Sequence, residues 1–439
     1  MEILKYPSDE AEKKVLATIE RGLGFTEDDY NNVNAYIEAV KKEGDKAVCY
    51  YTNKFDSKHV TEKSLKVTDD EFKEACQNLD RKFLKALDRA VVQIESFHLK
   101  QNQNSWIDTP REGVMLGQMV KPVEAAGIYA PGGKEGKTPL VSSVLMGGIP
   151  AKVAGVESIT LMTPPMENGK INPYILATAK RVGIDNVFKA GSAWAIAALA
   201  YGTQTIPKVD VIVGPGNVYV TLAKKIVSGT VGIDMIAGPS EILIIADKNA
   251  DPNFIAADLL SQAEHDILAS AILVTDCEEL AKKSKVCVEE QLEKLSRKDI
   301  ASKSIRDFSA IIIVPDIDTA IELSNRLAPE HLELLVKNPF EYMEKIKNAG
   351  AIFLGPYSPE PMGDYVAGPN HVLPTAGTAR FSSALSVENF TKKTSLIHYS
   401  KQAFEDVDGV FKVGVEDSNG NTKYEDTWDF DFLIGVGAS

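Results

Sequence analysis

The sequence predicts an α/β protein whose strands run parallel between layers of helix. Three observations carry that expectation. Short, continuous apolar runs recur between residues 126 and 354, separated by stretches of helical periodicity. Strands covered on both faces read as unbroken apolar runs, whereas half-exposed strands alternate. Turn-rich breaks at Pro131-Gly-Gly133 and Ala237-Gly-Pro239 divide the pattern. At 439 residues the chain also exceeds what one core usually holds, so more than one domain is expected.

The elements follow in order. The first ~105 residues read as helices. Thr26-x-x-Asp29 and Thr68-x-x-Glu71 are N-terminal capping patterns, each opening a long helical stretch. Strands are expected at 126–129, 158–162, 209–213, 241–245, 271–274, 310–314 and 351–354. Asp251-Pro252 predicts a helix start, with Asp as cap and Pro in the first turn. From about Gly414 the sequence turns polar and acidic and loses helical periodicity, which predicts a loop or loose tail.

Composition excludes several classes of function. With 44% apolar and 25% charged residues the chain is an ordinary globular one. Its net charge of −14 argues against nucleic acid or an anionic membrane surface as partner, because both need a basic face. The cysteines, Cys49, Cys76, Cys277 and Cys287, form no C-x-x-C pair and are expected to be reduced thiols of a cytoplasmic protein. No apolar stretch is long enough for a membrane span, and the opening Met1-Glu-Ile-Leu-Lys-Tyr6 has no apolar signal core.

Two glycine motifs fall short of nucleotide fingerprints. Gly214-Pro-Gly216-Asn217 lies between a strand and a helical stretch, the context in which backbone N–H groups hold a phosphate. Tyr219 stands where a third glycine belongs, so a plain tight turn is an equal reading. The stretch from Gly132 to Thr138 resembles a P-loop one residue short in spacing, with Pro131 at the first glycine position. It is not read as an NTPase motif.

The chemistry-bearing residues gather in Gln262-Ala-Glu-His265, Glu330-His331 and Gly363-Asp364-Tyr365, in a chain with only 6 histidines. Gln262 and His265, three apart, share a helix face near its C-terminal end, where an amide oxygen and an imidazole nitrogen can reach one zinc ion. A solvated helix end has the same pattern. Glu330 and His331 precede a strand and offer two proton-transfer groups; a surface charge and a capping imidazole are the alternative. Asp364 is either a hard metal ligand or a turn residue, and its loop also carries His371.

Taken in order, the segments resemble the histidinol dehydrogenase family over most of the chain. They include Gly127-Ile-Tyr129-Ala-Pro-Gly-Gly133, Val213-Gly-Pro-Gly-Asn217, Ile233-Asp-Met-Ile-Ala-Gly-Pro-Ser-Glu241 and Asp258-Leu-Leu-Ser-Gln-Ala-Glu-His265. Pro329-Glu-His331, Gly363-Asp-Tyr365 and Asn370-His-Val-Leu-Pro374 complete the set. The resemblance implies NAD-dependent, zinc-assisted oxidation of L-histidinol to L-histidine through bound histidinal. It implies zinc on Gln262, His265 and Asp364, and Glu330 and His331 as the acid–base pair. Substrate contacts would come from Ser240, Gln262, His265, His331 and Asp364, and NAD contacts from Tyr129 and Asn217. The implied fold is a homodimer with two incomplete Rossmann-like domains. The expected division is a helical segment at 1–25, a first domain at 26–130 plus 240–383, a second at 131–239, and a dimer-crossing tail at 384–439.

Two positions depart from the family pattern. Trp194 stands where the family has a cofactor-contacting glutamine, and its ring would stack on NAD or simply pack. The family's fourth zinc ligand is a C-terminal histidine, but none follows His398 here, and its place falls near Lys423. A protonated lysine cannot bind zinc. The tail after about residue 413 therefore leaves open a dehydrogenase of another small alcohol, or a catalytically impaired member that keeps the dimeric fold.

Overall fold

The computed structural model describes residues 1–21, 24–77, 79–132 and 139–405, together with the backbone of 413–416 and 422–425. In chain order the strands are β1 (Glu2–Lys5), β2 (Trp106–Arg111), β3 (Val114–Pro122), β4 (Ala125–Tyr129), β5 (Ser158–Thr163), β6 (Asn186–Lys189), β7 (Val211–Val213), β8 (Gly232–Ile233), β9 (Glu241–Ala246), β10 (Ser270–Thr275), β11 (Ala310–Ile313), β12 (His331–Leu335), β13 (Ala351–Leu354), β14 (Thr391–Tyr399), β15 (Val413–Glu416) and β16 (Thr422–Glu425). The longer helices are α1 (Asp9–Ile19), α2 (Glu27–Glu43), α3 (Asp45–Phe55), α4 (Asp69–Gln77), α5 (Arg81–Leu99), α6 (Val141–Ala154), α7 (Pro173–Val182), α8 (Ser192–Tyr201), α9 (Val218–Val227), α10 (Pro252–Ala263), α11 (Glu278–Leu292), α12 (Lys298–Asp307) and α13 (Ile317–Leu327).

Two wholly parallel sheets organise residues 1–102 and 122–390. The first runs β6-β5-β4-β7-β8 and the second β1-β11-β10-β9-β12-β13. Counted from β4 in the first sheet and from β9 in the second, both contain the order 3-2-1-4-5 of a doubly wound dinucleotide fold. Helices cover both faces of each sheet. The second has α1 and α13 on one side and α10, α11 and α12 on the other. Every residue of β9 and β10 is buried, which is why both read as unbroken apolar runs. Each of Ile242, Leu243, Ile244 and Ile245 contributes about 2 kcal/mol by leaving water.

Four features differ from the sequence expectations. The opening segment is not purely helical, because Glu2–Lys5 pairs in parallel with Ala310–Ile313 and lengthens the second sheet at its edge. Of the 26–130 stretch, residues 26–102 and 122–130 lie with the first sheet rather than the second: β4 is that sheet's central strand, and α2 packs on α8 and α9, α4 on α7, and α5 on α6. The apolar stripe Val33, Ile37 and Val40 of α2 is satisfied there. Leu385, Val387 and Phe390, placed by sequence at the start of the tail, are buried beside residues 1–102 and 122–383. Finally, residues 413–416 and 422–425 pair as an antiparallel hairpin where a loop was expected. The other unit, 103–121 with 391–439, contains a sheet of order β14-β3-β2. Its strands β2 and β14 are largely exposed and lack the apolar runs that reveal buried strands.

Both capping patterns form. Thr26 and Asp29 exchange side-chain-to-backbone bonds of 3.2 and 2.9 Å, and Thr68 and Glu71 bonds of 3.3 and 3.0 Å.

Candidate active site

At the amino edge of the second sheet, β9 and β12 start side by side, with His331 in register with Ile242. This brings Glu330 and His331 against Glu241, whose backbone grips both. Its N–H donates to Glu330 Oε2 at 3.0 Å, and its carbonyl accepts from His331 Nδ1 at 2.9 Å. With Nδ1–H committed to a carbonyl, the lone pair of the neutral ring lies on Nε2. That atom is buried and has no hydrogen-bond partner. Burial pushes the imidazole pKa down, outweighing Glu360 and the Glu241 carbonyl, which pull it up. His331 is therefore a neutral base at pH 7, with Glu330 Oε2 only 3.8 Å from its Nδ1. The Glu241 side chain points the other way, into a buried pair with Arg21 at 2.8 Å. Burial still pushes Glu241 up to about 7 against the pull of that guanidinium.

Gln262 lies in the last turn of α10 and His265 just beyond the helix end. The helix starts as the sequence predicts, with Asp251 capping Asn253 N–H at 2.8 Å and Pro252 in the first turn. Gln262 Nε2 is 3.3 Å from His265 Nδ1, so the amide nitrogen faces the ring. The amide oxygen is left buried and unpartnered. A carboxamide oxygen without a donor beside an imidazole is a donor set that suits a zinc-like cation. His265 is close enough to His331 for its charge to oppose protonation of that ring. Ser240, directly before β9, lies at the same edge and accepts from Ser270 N–H through its carbonyl at 3.0 Å. Asp364 lies in the π-helical turn Gly363–Ala367, and its side chain falls outside what is described. Among the described residues no three of His, Cys, Asp or Glu form a metal cage. The side chain of Lys423 is also outside the description, although its backbone lies in β16.

Sequence reading missed a set of buried carboxyls behind these residues. Glu333, two along β12 from His331, points to the same side of the strand. Asp258 lies one turn before Gln262 on α10. Burial, reinforced by Asp258, pushes Glu333 up to about 9, and burial pushes Asp258 up to about 6. The pair thus retains a proton at neutral pH. Glu360 ties the set together: its N–H donates to Glu333 Oε1 at 3.1 Å, and its own Oε2 accepts from Ser261 at 3.1 Å. The i, i+2 spacing from His331 and the i−4 spacing from Gln262 were the available signals. His371 is half-buried, with a buried, unpartnered Nε2, and burial of the ring holds its pKa down at about 4.

The remaining candidates sit at the carboxyl edge of the first sheet. Tyr129 ends β4, and its phenol oxygen accepts from Ser192 N–H at 3.1 Å. Asn217 caps α9, accepting from the N–H groups of Tyr219 and Val220, both at 3.1 Å. Between them, Gly214 adopts φ +121°, and a Cβ there would meet the Tyr129 carbonyl at 2.1 Å, so only glycine fits. Trp194 does not line this edge. It is buried, donates to Thr52 Oγ1 at 3.0 Å, and has Tyr51 and Phe55 stacked near its ring at 5.8 and 5.4 Å. Its ring is thus packed against two aromatic rings of the chain itself.

Comparison with known proteins settles the family. The histidinol dehydrogenase family model matches residues 21–413, ending where the tail changes character. The chain belongs to the histidinol dehydrogenase family. It is 54% identical over 373 residues to the histidinol dehydrogenase of Desulfotalea psychrophila, covering 85% of this chain and 86% of that one. It is 50% identical over 407 residues to that of Bacillus cereus, covering 93% and 94%. The crystal structure of histidinol dehydrogenase from Elizabethkingia anophelis superposes with a TM-score of 0.87 at 43% identity, covering 93% of this chain and 92% of that one. Membership makes the chain an oxidoreductase with a Rossmann-like α/β fold. Among the described residues no helix is long and apolar enough to cross a membrane.

Proposed function

We propose that this chain oxidises L-histidinol to L-histidine through histidinal, with NAD as oxidant and zinc as a bound ion, in a cytoplasmic homodimer. The observation that carries the reading is the neutral His331, whose buried Nε2 has no partner while its Nδ1–H is held by Glu241. Gln262, His265 and Asp364 would hold zinc, which when bound supplies a Lewis-acid site for the substrate's nitrogen and oxygen atoms. NAD, held by Tyr129 and Asn217, would accept hydride. His331 Nε2 takes the alcohol proton as the hydride leaves. Glu330, held by the Glu241 N–H, then deprotonates the water that hydrates the aldehyde. Once His331 has released the first proton to solvent and a second NAD has replaced the NADH, His331 takes the hydrate's proton as the second hydride leaves. Ser240, at the same edge, contacts the substrate. The two Rossmann-like parts divide the work: the second sheet supplies acid–base and metal residues, and the first supplies the NAD side.

The test is NADH formation with L-histidinol and with L-histidinal, with and without added zinc, alongside the solution mass. The expected result is turnover of both substrates by a species of twice the chain mass. Absence of NADH from the zinc-loaded protein with either substrate overturns the reading.

A further inference from the structure

The carboxyl edge of the first sheet holds a polar pocket of about 520 Å³ that the mechanism above does not use. Asp56, Pro164, Pro165 and His59 line it, with Lys54 and Lys58 exposed at its rim. Asp56 follows the last turn of α3, and its Oδ2 is buried without a hydrogen-bond partner. That oxygen lies beside the ends of the adjacent strands β5 and β6. A Cβ on Gly191, just past β6, would come within 3.5 Å of it and within 2.9 Å of Pro164, just past β5. A Cβ on Gly132, past β4, would also meet Pro164, at 2.8 Å. Burial alone pushes Asp56 up to about 7.

The strand order gives this position a meaning. In a doubly wound dinucleotide fold, an acidic residue at the carboxyl end of the second strand takes the hydroxyls of the adenosine ribose. Here the second strand is β5, which runs into Thr163-Pro164-Pro165; the acid of the following loop, Glu167, also lines the pocket but is exposed, four residues past the strand end, whereas the Asp56 oxygen is buried. Asp56 reaches the same place from outside the sheet. Buried carboxyl oxygens without donors are costly, and a ribose diol supplies the missing donors. We propose that Asp56 binds the adenosine ribose hydroxyls of the dinucleotide and selects NAD over its 2′-phosphorylated counterpart. This rests on the NAD reading above. Lys54, Lys58 and His59 would otherwise favour a 2′-phosphate, so the carboxyl is what opposes it.

The experiment uses the full chain and measures binding of NADH, NADPH and NADH lacking the adenosine 2′-hydroxyl. Wild type should bind NADH about tenfold more tightly than the deoxy analogue. Asp56→Asn should bind the two alike and lower the NADH-to-NADPH preference about a hundredfold. Asp56→Ser serves if the Asn variant melts early. An unchanged preference in a variant with wild-type melting overturns the assignment. So does equal wild-type affinity for NADH and the deoxy analogue, which needs no variant. Wild type that binds neither NADH nor NADPH overturns this assignment and the NAD reading together, whereas NADH binding blind to the 2′-hydroxyl overturns this assignment alone.

Discussion

The two parallel sheets share one strand order and carry their candidate site residues at opposite edges. The first sheet has Tyr129 at the end of β4 and Gly214-Pro-Gly216-Asn217 after β7 at its carboxyl edge, on either side of the point where the order reverses. Ligands of doubly wound sheets usually enter there. The equivalent point of the second sheet, between the ends of β9 and β12, is filled by the protein itself. Asp247 accepts from the N–H groups of Lys337 and Asn249, both at 2.8 Å, so an internal carboxylate takes the donors a phosphate would need. The second sheet instead carries Glu241, Glu330 and His331 at its amino edge. Strand order alone therefore does not say which edge carries a site; the residues at each edge do.

The largest expected effect lies at that amino edge. His331→Asn should lower kcat for both histidinol and histidinal by about 10³-fold, because both oxidations need the same base. Loss of only one half-reaction would refute the shared role. In wild type, kcat/KM should stay flat through neutral pH and fall only below the ordinary histidine range, since burial lowers the ring's pKa. Next is Glu330→Gln, expected to slow histidinal oxidation by about 10²-fold and histidinol oxidation much less, because only the second step activates water. Equal losses on the two substrates would exchange the assignments.

Smaller effects separate stability from catalysis. Glu333 is raised to about 9 in the fold from an ordinary value of 4.5. Folding therefore favours its protonated form, and its contribution is fully present below the ordinary value and lost as pH rises toward 9. Glu333→Gln should accordingly melt higher than wild type at pH 8 to 9, with the difference shrinking toward pH 5. A difference independent of pH would show that the carboxyl is ionised in the fold. The smallest effect is expected at the plugged edge. Asp247→Ala should cost about 1–2 kcal/mol in denaturant unfolding by leaving backbone donors unpaired, with kcat unchanged. A fall in kcat would place chemistry at both edges of that sheet.

Most of the second sheet was legible because burial on both faces writes unbroken apolar runs, as in β9, β10 and β11. β1 was not, because four residues acquire strand character only by pairing with Ala310–Ile313, far along the chain. Glu330, His331, Gln262 and His265 stood out because charged or polar residues interrupt apolar surroundings. Asp258 and Glu333 did not, since their protonation depends on the burial each meets in the fold. Trp194 shows the limit of reading by position: its partners Tyr36, Tyr51 and Phe55 come from helices well before it in sequence. The same distance hid Asp56, which reaches the ends of β5 and β6 from a helix outside the sheet.

Pairing between β1 and β11 also sets an order of events at the ribosome. Residues 2–5 emerge first, yet their partner strand 310–313 is made only after the whole first sheet. At 5–20 residues per second, that strand waits roughly 15–60 s for its neighbour. During that interval the β4–β8 sheet can close around α2 to α9, while the sheet bearing Glu241 cannot be finished. The nascent chain therefore completes its first sheet well before its second, and the opening residues, though made first, wait longest for a partner.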